Sequence, residues 1–339
     1  MAQFKILHTG APADEPLDLE RQGLAGLDVE IIQPGRLRSE DEIIKHGQDA
    51  DILFVIAEPI TRRVISSLPR LKGVVRYGIG VDTVDLKAAT EFGVVVANFP
   101  DFCLDEVANH TMALLLALNR RLFRLDRVVR DGQWNPAALR SVLPGIGSLQ
   151  GETLGLVAFG NIPRRVAPRA QAFGLKVIAY DPYLDDDVFA RFGVRRVRRV
   201  EELLAESDYV SSHLPLTEET YHFFTAERFR LMKPTAYFIN TSRGKVVDEP
   251  ALIRALQEGW IAGAGLDVFE EEPLPADSPL ARLENVILTP HAAYYSDRSE
   301  RNLKLRVGRA AADILRGFEP EHVANPEVLK KLNLKPREA

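Results

Sequence analysis

The chain has 339 residues, enough for two domains that each bury a core. Hydrophobic residues at 46% and charged residues at 27% are ordinary for a globular protein, and a net charge of −5 gives no support to a nucleic-acid or membrane-surface partner. The single cysteine, Cys103, excludes an intrachain disulfide and suits a reducing compartment; without a basic-then-apolar leader, a soluble cytoplasmic protein is expected.

The first hundred residues alternate strand and helix. Phe4–Leu7 and Val29–Ile32 read as strands, followed by a helical pattern over Ser39–His46. Asp51–Ala57 is a buried strand running into Glu58-Pro59, Arg62–Leu68 a short helix, and Lys72–Arg76 a strand opening onto Tyr77-Gly78-Ile79-Gly80. Val94–Ala97 is the next strand, ended by Asn98-Phe99-Pro100. Such βα alternation argues for a parallel sheet with helices on both faces. A crossing between domains is expected over 98–105. A long, interrupted helix then covers Asp105–Asp131. Its second half carries Arg120, Arg121, Arg124, Arg127 and Arg130, either a solvated face or a subunit contact.

The stretch from Gly151 to Asp181 is a strand–helix–strand unit. Leu154–Phe159 is a continuous apolar run, Gly160 breaks it, and Ile162, Val166, Ala170 and Phe173 recur at helical spacing. Gly174 closes the helix and Val177–Tyr180 is a second strand with Asp181 at its end, 21 residues after Gly160. Dinucleotide-binding units place their acidic ribose ligand at about that distance. The glycine fingerprint is altered, however: its three positions hold Ala158, Gly160 and Pro163. Proline is tolerated in a first helical turn, and Ala158 is expected to keep a strand conformation while crowding the turn. A plain βαβ unit without a dinucleotide is the competing reading.

Further strands are expected at Tyr209–Ser212, Ala236–Asn240, Gly263–Phe269 and Val286–Thr289, and a helix over Ser299–Leu315. The run Arg195–Arg199 reads as surface, and Asn325-Pro326 as the start of a polar tail. Three of the strand ends carry chemistry. Arg243 follows the second of them, Asp267 and Glu272 the third, and Pro290-His291 the fourth. Open α/β sheets bind ligands at the carboxyl ends of their strands. A cation, a carboxylate and an imidazole there suit the reduction of a keto acid: arginine holds the oxygens, histidine supplies the proton and glutamate tunes the histidine. Alone, Arg243 reads as a surface arginine and Glu272 as one more member of the acidic turn Glu270-Glu271-Glu272. His8, His46, His110, His222 and His322 read as structural groups. No P-loop, H-E-x-x-H or G-x-S-x-G stands in the chain, and no cysteine or histidine pair has metal-ligand spacing, so no metal is expected.

The chain resembles a D-isomer-specific 2-hydroxyacid dehydrogenase over nearly its whole length. The match is carried by Val75–Asp85, Gly151–Asp181, His213–Thr220, Asn240–Asp248, Gly263–Pro273 and Thr289–Tyr295. Within that family, Gly151–Gly155, Tyr180–Leu184 and His291–Ser296 look most like the C-terminal-binding-protein branch, which includes NAD-binding corepressors. The resemblance implies two doubly wound Rossmann/flavodoxin-like α/β domains, the NAD-binding one (104–296) inserted into a discontinuous substrate domain (1–103 and 297–339). It implies a homodimer and a small 2-oxo or 2-hydroxy acid as substrate. It gives Arg243 to the substrate, His291 to acid/base chemistry and Glu272 to its support. Gly160, Asn161, Ile162, Pro163 and Arg164 would face the pyrophosphate, Asp181 the adenine ribose, and Asp267 the nicotinamide. Thr111, Leu214, Pro215, Thr220 and Thr241 match other NAD-lining positions. The amides of Gly78, Ile79 and Gly80 would take the substrate carboxylate, and Tyr294 stands where the corepressors carry tryptophan. A scaffold responsive to NAD(H) with little turnover is the alternative to an enzyme.

Overall fold

The computed structural model describes residues 2–337. The chain divides into two compact units, one of Met1–Phe102 with Ser296–Ala339 and one of Cys103–Tyr295.

The first unit holds five strands: β1 (Phe4–His8), β2 (Val29–Ile32), β3 (Ile52–Val55), β4 (Gly73–Arg76) and β5 (Val95–Ala97). They pair in parallel in the order β2-β1-β3-β4-β5. β3 is buried along its whole length, as its unbroken apolar run demands of a strand covered on both faces. One face packs Ile43, Val64, Ile65 and Ala88 from short helices, the other Leu303, Val307, Ala311 and Ile314 from the long helix Asp297–Arg316. That helix starts at a Ser296 cap and stops at Gly317, whose φ of 82° a residue with a Cβ rarely adopts. Residues 325–330 are not the polar tail expected of them. The buried Asn325 side chain accepts the Val96 N–H at 2.9 Å and donates to the Val94 carbonyl at 2.9 Å, which seats Val328 in the core beside β5.

The second unit has seven strands: β6 (Thr153–Val157), β7 (Lys176–Tyr180), β8 (Arg195–Arg196), β9 (Tyr209–Ser212), β10 (Tyr237–Asn240), β11 (Gly263–Leu266) and β12 (Val286–Leu288). All pair in parallel, in the order β12-β11-β10-β9-β6-β7-β8. The winding reverses between β6 and β9, so the loops leaving those strands diverge and open a crevice. The helix Leu104–Asn119 lies against β10 and β11. Gly265 permits that approach, since a Cβ there would sit 3.1 Å from Leu114. The expected interruption falls at Arg121, whose φ of 50° separates this helix from Leu122–Arg130. Arg195–Arg199 is more than surface. Its first two residues form the edge strand, and the Arg196 side chain is mostly buried, packed over the Phe189 ring.

Candidate active site

The strand–helix–strand unit is as expected in outline, but its turn differs. β6 ends at Val157, and Ala158 leaves the strand conformation expected of it for the left-handed region, φ 72°. Its amide donates to the Tyr180 carbonyl at 2.9 Å, which ties the turn to the end of β7. The next amide, Phe159 N–H, donates to the Asp181 carboxylate at 2.9 Å, and Tyr183 N–H reaches the other carboxylate oxygen at 3.0 Å. Arg196 donates to the Asp181 carbonyl at 3.1 Å. Gly160 and Asn161 are exposed at the start of the helix Pro163–Ala172, and Arg164 folds back onto the Phe159 carbonyl at 2.9 Å. Ile162 and Pro163 seat that helix, while Phe173, expected on its apolar face, lies about half exposed beyond its end.

A Cβ placed on Gly160 would meet no protein atom within 4 Å, and its φ is not left-handed. Neither the protein's packing nor its backbone therefore calls for glycine there. A helix N-terminus can donate to an anion and a carboxylate beside it can accept from ribose hydroxyls, the two groups that a dinucleotide requires. Across the crevice, Leu214 is buried, and the Thr220 hydroxyl donates to the Pro215 carbonyl at 2.6 Å while accepting the Thr217 N–H at 2.8 Å, shaping the 214–220 wall. Thr241 and Thr111 meet through their hydroxyls at 2.9 Å; Thr111 gives its own proton to the Val107 carbonyl, so Thr241 is the donor.

The three chemical residues come together on neighbouring strand ends of this unit. β11 stops at Leu266 and β12 at Leu288, each shorter than expected, so Asp267 and Thr289 already lie past the sheet. Asp267 is fully buried. Its carboxylate accepts the Thr289 hydroxyl at 2.6 Å and the amides of Ala292 and Ala293 at 2.9 Å each, and its carbonyl accepts the His291 amide at 2.8 Å. The carboxylate thus builds the loop that presents His291, which sits at φ 51°. His110 Nε2 lies 3.0 Å from Thr289 Oγ1, and because the Thr289 proton goes to Asp267, His110 is the donor. Sequence reasoning did not see that Asp267 works with Thr289 and His110; the sign available was Thr289 two residues before His291.

His291 Nδ1 lies 2.6 Å from Glu272 Oε2, and Glu272 Oε1 accepts the Phe269 amide at 3.0 Å. Burial works against the charge on Glu272. The hydrogen bond and charge of His291, the Phe269 amide and the Arg243 guanidinium outweigh it and hold the carboxyl below its ordinary value. Arg243 follows β10 and caps the short turn Gly244–Val246, where a Cβ on Gly244 would collide with the Phe269 carbonyl. Asn240 fixes the approach, donating to the Arg243 carbonyl at 2.9 Å and accepting the Ser242 amide at 3.0 Å. Tyr294 follows on the same loop, partly exposed, with its ring 6.3 Å from that of Tyr295.

In the first unit, the loop after β4 is held from below. Asn98 donates to the Ile79 carbonyl at 2.7 Å and the Phe99 amide to the Gly78 carbonyl at 3.0 Å. Gly78 has φ 141°, and a Cβ on it would fall 1.6 Å from an Arg76 guanidinium nitrogen. The next two amides, of Ile79 and Gly80, find no acceptor among the described residues.

The family of D-isomer-specific 2-hydroxyacid dehydrogenases, in its NAD-binding domain, is matched over residues 112–293. The chain belongs to this family. It is 44% identical over 293 residues to a glyoxylate reductase of Korarchaeum cryptofilum, covering 86% of this chain and 88% of that protein. It is 39% identical over 288 residues to a D-3-phosphoglycerate dehydrogenase of Methanocaldococcus jannaschii, covering 85% of this chain and 54% of that longer protein. Among solved structures, D-lactate dehydrogenase of Aquifex aeolicus, complexed with NAD and lactic acid, superposes with a TM-score of 0.80 at 32% identity, covering 96% of this chain and 98% of that one. The protein is an NAD-dependent oxidoreductase that interconverts a small 2-oxo acid and the corresponding 2-hydroxy acid. Among the described residues, no helix is long and apolar enough to cross a membrane.

Proposed function

We propose that His291 is the acid/base, Glu272 its partner and Arg243 the residue that binds the oxygens of the substrate. The 2.6 Å contact between His291 and Glu272, at a strand end beside Arg243, carries this reading. Bound NADH supplies the hydride, while the protein orients and polarises. Arg243 draws the carbonyl oxygen, and His291 delivers a proton to it as the negative charge develops. Glu272, 2.6 Å from His291 Nδ1, orients the ring for that transfer. The amides of Ile79 and Gly80 take the substrate carboxylate, and Tyr294 shapes access to it. Asp181 takes the adenine ribose and disfavours the extra phosphate of NADPH, so NADH should be the more efficient reductant. The units serve as a substrate domain and a NAD domain respectively. NADH oxidation with a panel of 2-oxo acids tests the assignment: turnover lost on changing Arg243, with NADH binding kept, supports it, and unchanged turnover refutes it.

We propose the C-terminal-binding-protein-like branch as this chain's place in the family, on the stretches Gly151–Gly155, Tyr180–Leu184 and His291–Ser296. A scaffold role is not favoured, because a scaffold has no need of Arg243, Glu272 and His291 together. A homodimer through the NAD-binding unit is supported by Leu122, Phe123, Val129 and Trp134, each more than half exposed on or just after the helix Leu122–Arg130. Light scattering should report twice the 37.8 kDa chain mass. The single buried Cys103 suits the cytoplasm.

A further inference from the structure

The sheet of the first unit reverses its winding between β1 and β3. In open α/β sheets the crevice outside those two strand ends is a place where ligands are held. Here the chain's own carboxylate is fixed there. Glu58 Oε2 accepts the Thr9 hydroxyl at 2.8 Å and the amides of Ile56 and Ala57 at 3.0 and 3.2 Å. Gly10 leaves the room for it, since a Cβ there would lie 2.7 Å from Glu58 Oε1.

The loop bearing Glu58 runs beside the Gly78–Gly80 loop. β3 and β4 are neighbours, Tyr77 N–H donates to the Val55 carbonyl at 2.8 Å, and Ile60 N–H to the Thr83 carbonyl at 2.9 Å. Paired strands lie about 4.8 Å apart, which puts the Glu58 carboxylate on the order of 10 Å from those amides. At that separation, just beyond the Debye length of about 8 Å at physiological salt, the charge is largely screened, and it is felt across the loops at low salt. On the loop itself the charge is opposite, because the Arg76 guanidinium lies against Gly78 and donates to the Tyr77 carbonyl at 2.8 Å. His8 beneath Thr9 does not offset Glu58: burial lowers it to about 4, and its Nδ1 accepts the amides of Gly10 and Ala11. Lys304 is drawn to Glu15 at 2.6 Å.

We propose that Glu58 is a specificity-determining residue that restricts the enzyme to 2-oxo acids carrying one anionic group and disfavours those with a phosphate on C3. The inference rests on the Gly78–Gly80 loop receiving the substrate carboxylate. That carboxylate is met by amides and Arg76. A C3 phosphate brings roughly two further negative charges into the field of a carboxylate that three hydrogen bonds hold in place.

The test compares hydroxypyruvate with 3-phosphohydroxypyruvate, reduced by NADH. Wild-type kcat/KM should favour hydroxypyruvate, and the ratio should shrink as sodium chloride is raised. Glu58→Gln keeps an oxygen to accept the Thr9, Ile56 and Ala57 donors but removes the charge, so at low salt it should shift the ratio toward the phosphorylated acid by about three- to fivefold. Equal wild-type efficiencies overturn the proposal. So does a preference that neither salt nor Glu58→Gln alters, which would make the discrimination steric. Failure of the wild-type protein to reduce hydroxypyruvate, glyoxylate or any other 2-oxo acid would instead remove the functional reading on which the inference stands.

Discussion

Of the four residues with a Cβ that the NAD-binding unit holds in the left-handed region, Ala158 and His291 sit at strand ends, for different reasons. Ala158, at φ 72°, leaves β6 where a dinucleotide fingerprint carries its first glycine; His291, at φ 51°, follows β12 with its ring on Glu272. Such a conformation costs about 1–2 kcal/mol for an L-residue. At His291 three bonds to Asp267 impose it, from the amides of His291, Ala292 and Ala293, and the outcome is an aimed imidazole. At Ala158 a single backbone bond to Tyr180 holds the turn, and the methyl group packs against the edge of the core rather than serving the site. Strain at His291 serves the side chain. Strain at Ala158 is only tolerated.

The largest expected effect breaks the functional member of the pair. His291→Asn should lower the reductive kcat by about 10²–10⁴-fold, the usual worth of a general acid, with NADH affinity by fluorescence titration near wild type. A loss of less than tenfold would mean that the ring is not the proton donor.

The coenzyme turn should respond in the opposite sense. Gly160→Ala places a methyl group where the protein has no atom within 4 Å, so the melting temperature should hold while NADH binding weakens about tenfold or more. Unchanged affinity by calorimetry would show that the coenzyme does not approach this backbone.

A pH series separates the His291 loop further. The Glu272 carboxyl is held below its ordinary 4.5, so its ionised form stabilises the fold above that value. This contribution is lost only as pH falls through the lowered folded value. Wild type should therefore be more stable than Glu272→Gln at neutral pH, and the two should converge in strong acid. In the variant the neutral-pH reductive rate should fall several-fold, because the carboxylate that holds the His291 ring at 2.6 Å is gone. Superimposable pH profiles would reduce Glu272 to a member of its acidic turn.

The smallest effect should come from relieving Ala158. Ala158→Gly releases about 1 kcal/mol of backbone strain and should raise the melting temperature of this unit by roughly 2–4 °C with kcat unchanged. A fall in stability would show that the methyl group packs usefully after all.

Most of the element order was legible because buried parallel strands are short apolar runs, and β3 and β6 are buried almost throughout. Arg243, Glu272 and His291 were legible because strand, turn chemistry and residue type coincide at three successive strand ends. Contacts between distant segments were not. Arg196 looked like one of a row of surface arginines, yet it reaches the Asp181 carbonyl and packs on Phe189. Asn325 looked like the start of a loose tail, yet it bonds to the edge strand β5, over 200 residues earlier.

By itself, the sequence determined the two parallel sheets, the strand ends that bear the candidate site, and the acidic residue at the end of β7. Those properties follow from local periodicity and from the rule that ligands meet open sheets at their carboxyl ends. Tertiary structure alone decided what each polar group does there. The resemblance matches Asp267 to a position facing the nicotinamide, and folding in addition surrounds it with the Thr289 hydroxyl and two amides, so it builds the His291 loop. Glu58 reads as the end of a strand, but folding sets it on Thr9, 49 residues away, as a fixed charge beside the Gly78 loop. The physical reason is common to both. A buried or half-buried carboxylate must find donors, and which donors lie within 3 Å depends on strand order rather than on sequence neighbours.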